Sequence, residues 1–422
     1  MKKTLVALAA LATVGAAFAQ STVTLYGKID WTIQNQTQSV AGVKTAIGNS
    51  GMQVNSAGLS GSRWGMKGSE DLGGGMKAVF DLQSGFAIDS GASAQGGLLF
   101  GRQAYAGLSG GFGTLTAGRQ YSPIDTVWGT YDGQGYTTNS AMSYAWNGGL
   151  GGLTAAGATT TTGSCSAAVI SLTSNPTFCR GIHAEPGRIN NSLLYTTPAM
   201  GGFQAQFMYA PGENKVASPN ATAQSAGSYT GFLVGYANGP LGVHLGYENI
   251  KSTIGGTAAV AAGSSFAIDN RAKVGGVANP LFGTIQPNPA AAATTGSSFS
   301  VRDWTLAASY NLGVATLYGG YQRATATGGS SDKGWMLGTA IPVGAMTLNL
   351  GYARETDAVT GLAVDGRNSA FGGQLVYPLS KRTNVYADFL DGKSRLAAAT
   401  SAASSATQRK NTIYGIGLRH DF

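Results

Sequence analysis

From Ser21 to the final Phe422, outside a few long connections, the chain alternates apolar and polar side chains with a period of two, as strands with two unlike faces do. Val23, Leu25, Ile29 and Trp31 share one parity, and Thr24, Lys28 and Asp30 the other. Trp64 and Met66 alternate with Arg63 and Lys67; Met76, Ala78, Phe80 and Leu82 alternate with Lys77, Val79, Asp81 and Gln83. The same rhythm predicts strands at about 97–109, 113–121, 188–198, 202–210, 228–238, 241–250, 300–311, 314–325, 332–342, 345–356, 368–377, 383–393 and 410–422. With the first three that makes sixteen. In 113–121 the pattern assigns no face, because Leu115 and Ala117 share the parity of Arg119.

The connections alternate short and long. Glu70–Gly75, Gly110–Gly113, Ala199–Gly202 and Asn238–Pro240 read as tight turns, rich in residues that accept positive φ. The long connections are polar and low in complexity, as in 251–299. One of them, between Tyr121 and Arg188, opens on a dense patch holding Asp125, Trp128, Tyr131 and Asp132 and carries both cysteines. So long a connection inside a regular β pattern points to a functional segment. An even strand number, an apolar side chain at every second position and alternating connections predict an all-β fold, a 16-stranded antiparallel transmembrane β-barrel with short periplasmic turns and long outer loops. Closure satisfies every backbone group and removes the sheet edges. The third outer loop, about 122–187, is expected to fold into the lumen and narrow it.

Composition supports a membrane wall. Charged residues are 11% of the chain, against about 25% in soluble domains. The aromatic set of 18 Tyr, 15 Phe and 6 Trp is rich in rings suited to a membrane–water interface. Residues 1–19 read as a cleaved signal peptide, with Lys2 and Lys3, an apolar run from Leu5 to Ala16 and an Ala17-Phe18-Ala19 cleavage site. The mature barrel is then 20–422, with no further run long enough for a spanning helix.

The formal charge of +8 is spread as single residues and makes no contiguous basic footprint, which excludes nucleic acid as a partner. Cys165 and Cys179 in an exported chain are expected to form a disulfide, worth roughly 3 kcal/mol in the chain-entropy view. With no His pair beside them they make a poor metal site, and no metal or cofactor is expected. His183, His244 and His420 are too scattered to form a nucleophile–base–orienter set, so the chain does not read as an enzyme. In the last strand Tyr414, Ile416, Leu418, His420 and Phe422 share a face. A terminal aromatic on such a strand resembles the signal read by the barrel-assembly machinery.

Six segments in order carry a resemblance to the Gram-negative general diffusion porins, in particular their betaproteobacterial branch. They are Val23–Gly27, Ser62–Gly75, Phe100–Leu108, Gly113–Tyr121, Asn190–Tyr195 and Gly417–Phe422. The resemblance implies an outer-membrane channel for ions and small hydrophilic solutes, surrounded by lipid and assembled as a homotrimer. It places Lys28, Arg63, Arg102, Arg119 and Arg188 on the constriction wall, with Asp125 and Asp132 as loop acids facing them. Five bases against two acids imply a modest preference for anions. The loop 87–95, with Asp89, is expected to latch a neighbouring barrel, and Gly101, Gln103 and Gly107 to lie on the outer face against it. Two rival readings are a sugar-selective channel with Trp128, Tyr131 and Tyr136 as an aromatic track, and selectivity set at a rim of Lys393, Arg395, Arg409 and Lys410.

Overall fold

The computed structural model describes residues 22–44, 51–137, 139–146, 187–211, 228–254, 297–329, 331–358, 361–395, 400–401 and 408–422. Both cysteines, the signal segment and loop residues 147–186 lie outside the described residues. The strands are β1 (Thr22–Val40), β2 (Val43–Lys44), β3 (Gly51–Ser56), β4 (Arg63–Gly73), β5 (Met76–Gly85), β6 (Gln103–Gly110), β7 (Gly113–Tyr121), β8 (Arg188–Thr196) and β9 (Phe203–Ala210). They continue as β10 (Ser228–Asn238), β11 (Leu241–Ile254), β12 (Ser297–Asn311), β13 (Thr316–Ala326), β14 (Ser331–Val343), β15 (Met346–Ala358), β16 (Gly366–Pro378), β17 (Thr383–Arg395) and β18 (Arg409–Asp421). All belong to one antiparallel sheet in which β18 returns to pair with β1. The pieces β2, β3 and β4 all pair with β1 and form a single interrupted wall strand, so the closed barrel has sixteen.

The barrel inverts the arrangement of a soluble domain. Val23, Leu25, Leu306, Leu337 and Ile416 point outward and are exposed, while Asp30, Thr32, Gln34, Gln36 and Gln38 point inward and are buried. The seam runs from Lys28 opposite Asp421 to Val40 opposite Arg409. Phe422 completes it: its N–H donates to the Gly27 carbonyl at 3.0 Å and its own carbonyl accepts from the Gly27 N–H at 2.9 Å. The ring lies over Gly27, where a Cβ would come within 2.2 Å of it. Tyr414, Ile416 and Phe422 are exposed on the outer face, and Leu418 is half-buried beside them.

Two readings of β6 and β7 change. The strand expected from residue 97 begins at Gln103, after a short 3-10 turn at Gln95–Gly97. Gln103 does not face outward. It pairs with Gln83, its amide donates to Asp81 at 3.2 Å, and the outer positions are Ala104, Ala106 and Leu108. Gly107 pairs with Val79 on that same inner face. A polar side chain finds its partner in the lumen, and the alanines meet the apolar surroundings. In β7 the parity conflict has a structural cause: the register shifts between Gly118 and Gln120, and Gly118 sits at φ 137. Leu115 and Ala117 face out, Thr116 faces in, and the irregularity re-aims Arg119.

Candidate functional site

The described part of the long third connection lies inside the barrel. Helix α1 (Pro123–Tyr131) starts where Ser122 accepts from the Asp125 N–H at 3.1 Å, with Pro123 in the first turn. Ile124, Val127, Trp128 and Tyr131 fall on one face at helical spacing and are buried against β10–β13. Asp132 caps the far end and turns the chain, its carboxylate accepting from the N–H groups of Gln134 and Tyr136, both at 3.0 Å. Helix α2 (Ala141–Trp146) follows and packs on β15–β17. Burying a large apolar side chain stabilises by about 1.5–3 kcal/mol, so the buried set Ile124, Trp128, Met142, Tyr144 and Trp146 holds the loop firmly.

The wall beneath is cut to receive these side chains. Gly320 lies under Trp128, Gly334 under Trp146 and Gly392 under Tyr144. A Cβ at these glycines would come within 2.6, 2.8 and 2.3 Å of the respective ring. Trp128 and Trp146 meet edge to face at 5.4 Å. Polar contacts fix the register: the Trp146 indole N–H donates to Gln322, Asn139 donates to Asp388 at 2.6 Å, and Gln374 donates to Thr137 at 2.8 Å.

The basic side chains lie on the other side of the lumen, on β1, β4, β7, β8 and the segment leading into β6. Lys28 and Arg63 are register partners. The Arg102 and Arg188 guanidiniums both donate to the Tyr121 hydroxyl, at 2.6 and 2.9 Å, and Arg188 lies 4.5 Å over the Tyr121 ring. Arg102 also donates to Gln83 at 2.7 Å and stands within electrostatic reach of Arg63, Arg188 and Asp125. Among the described residues no carboxylate lies within ion-pair distance of Arg63, Arg102 or Arg188, whereas Lys28 pairs with Asp421 at 3.5 Å. Arg119 is held differently: it donates to the Gly101 carbonyl at 2.8 Å and to the Asn190 side chain. Arg419, inward beside Lys28, is a further base that the sequence reading did not select, although its parity in the last strand marked it.

The two loop acids part company. Asp125 stands beside Gly187 and faces Arg188 and Arg102. Burial pushes its carboxyl up to about 6, against the pull of those two guanidiniums and a hydrogen bond with Tyr136. Asp132 is buried and spent on loop amides, and burial raises its carboxyl too. The structure therefore brings Asp125, Arg63, Arg102 and Arg188 together and leaves Asp132 out. The aromatic track is not assembled either: Trp128 and Tyr131 are each 1% exposed, and the Tyr131 hydroxyl meets His244. Tyr136 alone of the three is exposed, at 38%.

The profile of the Gram-negative porin family matches residues 4–395. An outer membrane porin protein of Bordetella pertussis is 31% identical across the full length of both chains. Outer membrane porin protein 32 of Delftia acidovorans is 36% identical over 61% of this chain and 62% of its own length. Among solved structures, an anion-selective porin from Comamonas acidovorans superposes with a TM-score of 0.64 at 26% identity, covering 96% of this chain and all of that one. OmpT of Vibrio cholerae, solved in a trimer form, shares the fold at a TM-score of 0.56 and 15% identity, over 95% of this chain and 99% of its own. With its closed sixteen-stranded wall, this chain belongs to the Gram-negative porin family and is a passive channel of the bacterial outer membrane.

Proposed function

We propose that solutes pass between the basic wall and α1, and that this passage makes the channel modestly anion-preferring. The observation that carries the reading is the pairing of Arg102 and Arg188 on one hydroxyl, with Asp125 as the loop acid opposite. Asp421 offsets Lys28 and Asp125 stands against Arg102 and Arg188, so the passage keeps a positive excess. A narrow passage with low-dielectric walls focuses that excess onto a passing ion. The anion selectivity of the Comamonas porin agrees with this sign. The burial of Trp128 and Tyr131 disfavours a sugar track.

The test is the reversal potential of single channels in a planar bilayer under a salt gradient. Arg63→Ser with Arg102→Ser should raise conductance and move the reversal potential toward cation preference. If it stays put while neutralising Lys393, Arg395, Arg409 and Lys410 moves it, selectivity belongs to the rim.

The assembly around the channel is part of the same reading. The signal peptide at 1–19 directs export, and the strand ending in Phe422 is recognised by the barrel-assembly machinery. The barrel works as a trimer in lipid, with 87–95 as the latch, as the trimer form of OmpT makes natural for the fold. A monomeric mass for the folded protein in mild detergent would count against the trimer. Cys165 pairs with Cys179 within one chain; two free thiols in unreduced peptides of the exported protein would exclude that pair.

A further inference from the structure

The second wall strand is broken where it passes Asp30. Trp31 faces Ser56 and Lys28 faces Arg63, so three steps along β1 are matched by seven along the returning chain, four residues more than a continuous strand would use. The segment that holds this surplus, Ala57–Ser62, leaves the wall on the lumen side, toward the Asp30 carboxylate. Ala57 sits at φ 76. Ser62 closes the base, its hydroxyl accepting from the Asp30 N–H and donating to the Asp30 carbonyl, both at 3.0 Å.

The excursion is folded around the Asp30 carboxylate, which is 0% exposed. One oxygen accepts from the Gly58 N–H at 3.2 Å and the Tyr386 hydroxyl at 2.6 Å. The other accepts from the N–H groups of Leu59 at 3.0 Å and Ser60 at 2.7 Å, with the Ser60 hydroxyl at 3.4 Å. A buried carboxylate needs such a donor set, and here backbone amides supply most of it. Gly58 packs directly on the Tyr386 ring, where a Cβ would meet the hydroxyl at 2.1 Å. Gly61 lies beside Arg102, whose Nη1 would be 3.2 Å from a Cβ there. Ser60 and Gly61 are both half-buried, whereas Gly58 and Leu59 before them are buried.

We propose that Ala57–Ser62 is a second inward element of the passage, bordering it at Ser60 and Gly61 next to Arg102, with Asp30 and Tyr386 as its positioning residues. This rests on the reading of the passage given above and adds a border on the wall side, facing α1. Asp30 is a lumen carboxylate turned into a scaffold: backbone amides, the Ser60 hydroxyl and the Tyr386 phenol satisfy it, and among the described residues it takes no wall guanidinium as an ion-pair partner.

The test places Ser60→Cys in a Cys165→Ser/Cys179→Ser background and treats single channels with an anionic or a cationic methanethiosulfonate reagent. Labelling is expected to cut the current by about a third or more, because added bulk and charge at a narrow lining act directly on conduction. The anionic label is expected to erase the anion preference and the cationic one to keep it. Gly61→Cys repeats the experiment should Ser60→Cys not assemble. Asp30→Asn turns one acceptor into a donor facing N–H groups. In the cysteine variant it is expected to weaken the block while strand content stays unchanged. An equal block would deny Asp30 its positioning role. No labelling, or complete labelling with unchanged current, would overturn the proposal. An anion-preferring channel indifferent to the label would leave the constriction by α1 standing.

Discussion

The two sides of the lumen are built from the same alternating strands and treat the interior differently. On β10–β17 the inward positions are small where the loop sits, at Gly320, Gly334, Ala353, Ala370 and Gly392, and the loop fills them with Trp128, Tyr144 and Trp146. That side has become the core of a domain. On the other side, from β1 to β8, the inward positions carry Lys28, Arg63, Asp81 and Arg188, which are half-buried, and Lys67, which is exposed. A barrel wall therefore encodes its contents by side-chain size as much as by polarity. On the packed side the inward glycines Gly320, Gly334 and Gly392 mark seats for aromatics, and on the other side the inward Arg63 and Arg188 mark space left open.

Disrupting the packed side should have the largest effect. Gly320→Leu with Gly334→Leu removes the seats of Trp128 and Trp146, and overpacking of this kind costs about 1–3 kcal/mol per site. The loop should leave the wall, and conductance should become larger and noisy while the folded barrel keeps its strand content by circular dichroism. A quiet channel of unchanged conductance would show that the seats do not hold the loop.

Trp146→Ala should act less severely, since one ring is lost and the rest of the face remains. Such truncations cost about 3–5 kcal/mol in a well-packed core, enough to raise open-channel noise. Tyr121→Phe, on the open side, should change noise less, because a hydrogen bond to a charged group contributes about 1.5–3 kcal/mol and both guanidiniums keep the ring, with Arg102 also keeping Gln83. Equal noise from the two would erase the distinction between a packed and an open side.

A finer effect concerns Asp125. Its carboxyl titrates near 6, above the usual value, because burial outweighs the two guanidiniums. Lowering the pH from 7.5 to 5 should therefore protonate it, remove a negative charge from the passage and increase anion preference. The docked loop binds this proton more readily than an undocked one, so docking is also favoured as pH falls through 6 toward 4. Asp125→Asn should show the low-pH preference at every pH in that window. A pH dependence that survives the substitution would assign the titration elsewhere.

Much of the wall was legible in the sequence, because lipid demands an apolar side chain at every second residue and the turns demand glycine. The phase of β6 is not legible because Gln103 shares its parity with Gly101 and Gly107, which carry no facial signal. The interruption at Ala57–Ser62 was hidden because it is specified by Asp30 and Tyr386, remote in sequence, and by hydrogen bonds that leave no periodicity. In the loop, charge alone made Asp125 and Asp132 equivalent. Only the Asp132 hydrogen bonds to Gln134 and Tyr136 separate a turn-forming acid from one that faces the arginines.

If the arginines opposite α1 set the sign of selection, reversing one of them should reverse its effect on passing ions. The deciding quantity is the reversal potential of the natural channel and of Arg102→Glu under a fixed salt gradient, at about 0.1 M and about 1 M mean salt, where the Debye length falls from about 10 Å to about 3 Å. Anion preference is expected in the natural channel, with a clear move toward cations in Arg102→Glu and a difference between the two that shrinks at the higher salt. Identical reversal potentials for the two channels at low salt would show that these arginines do not select.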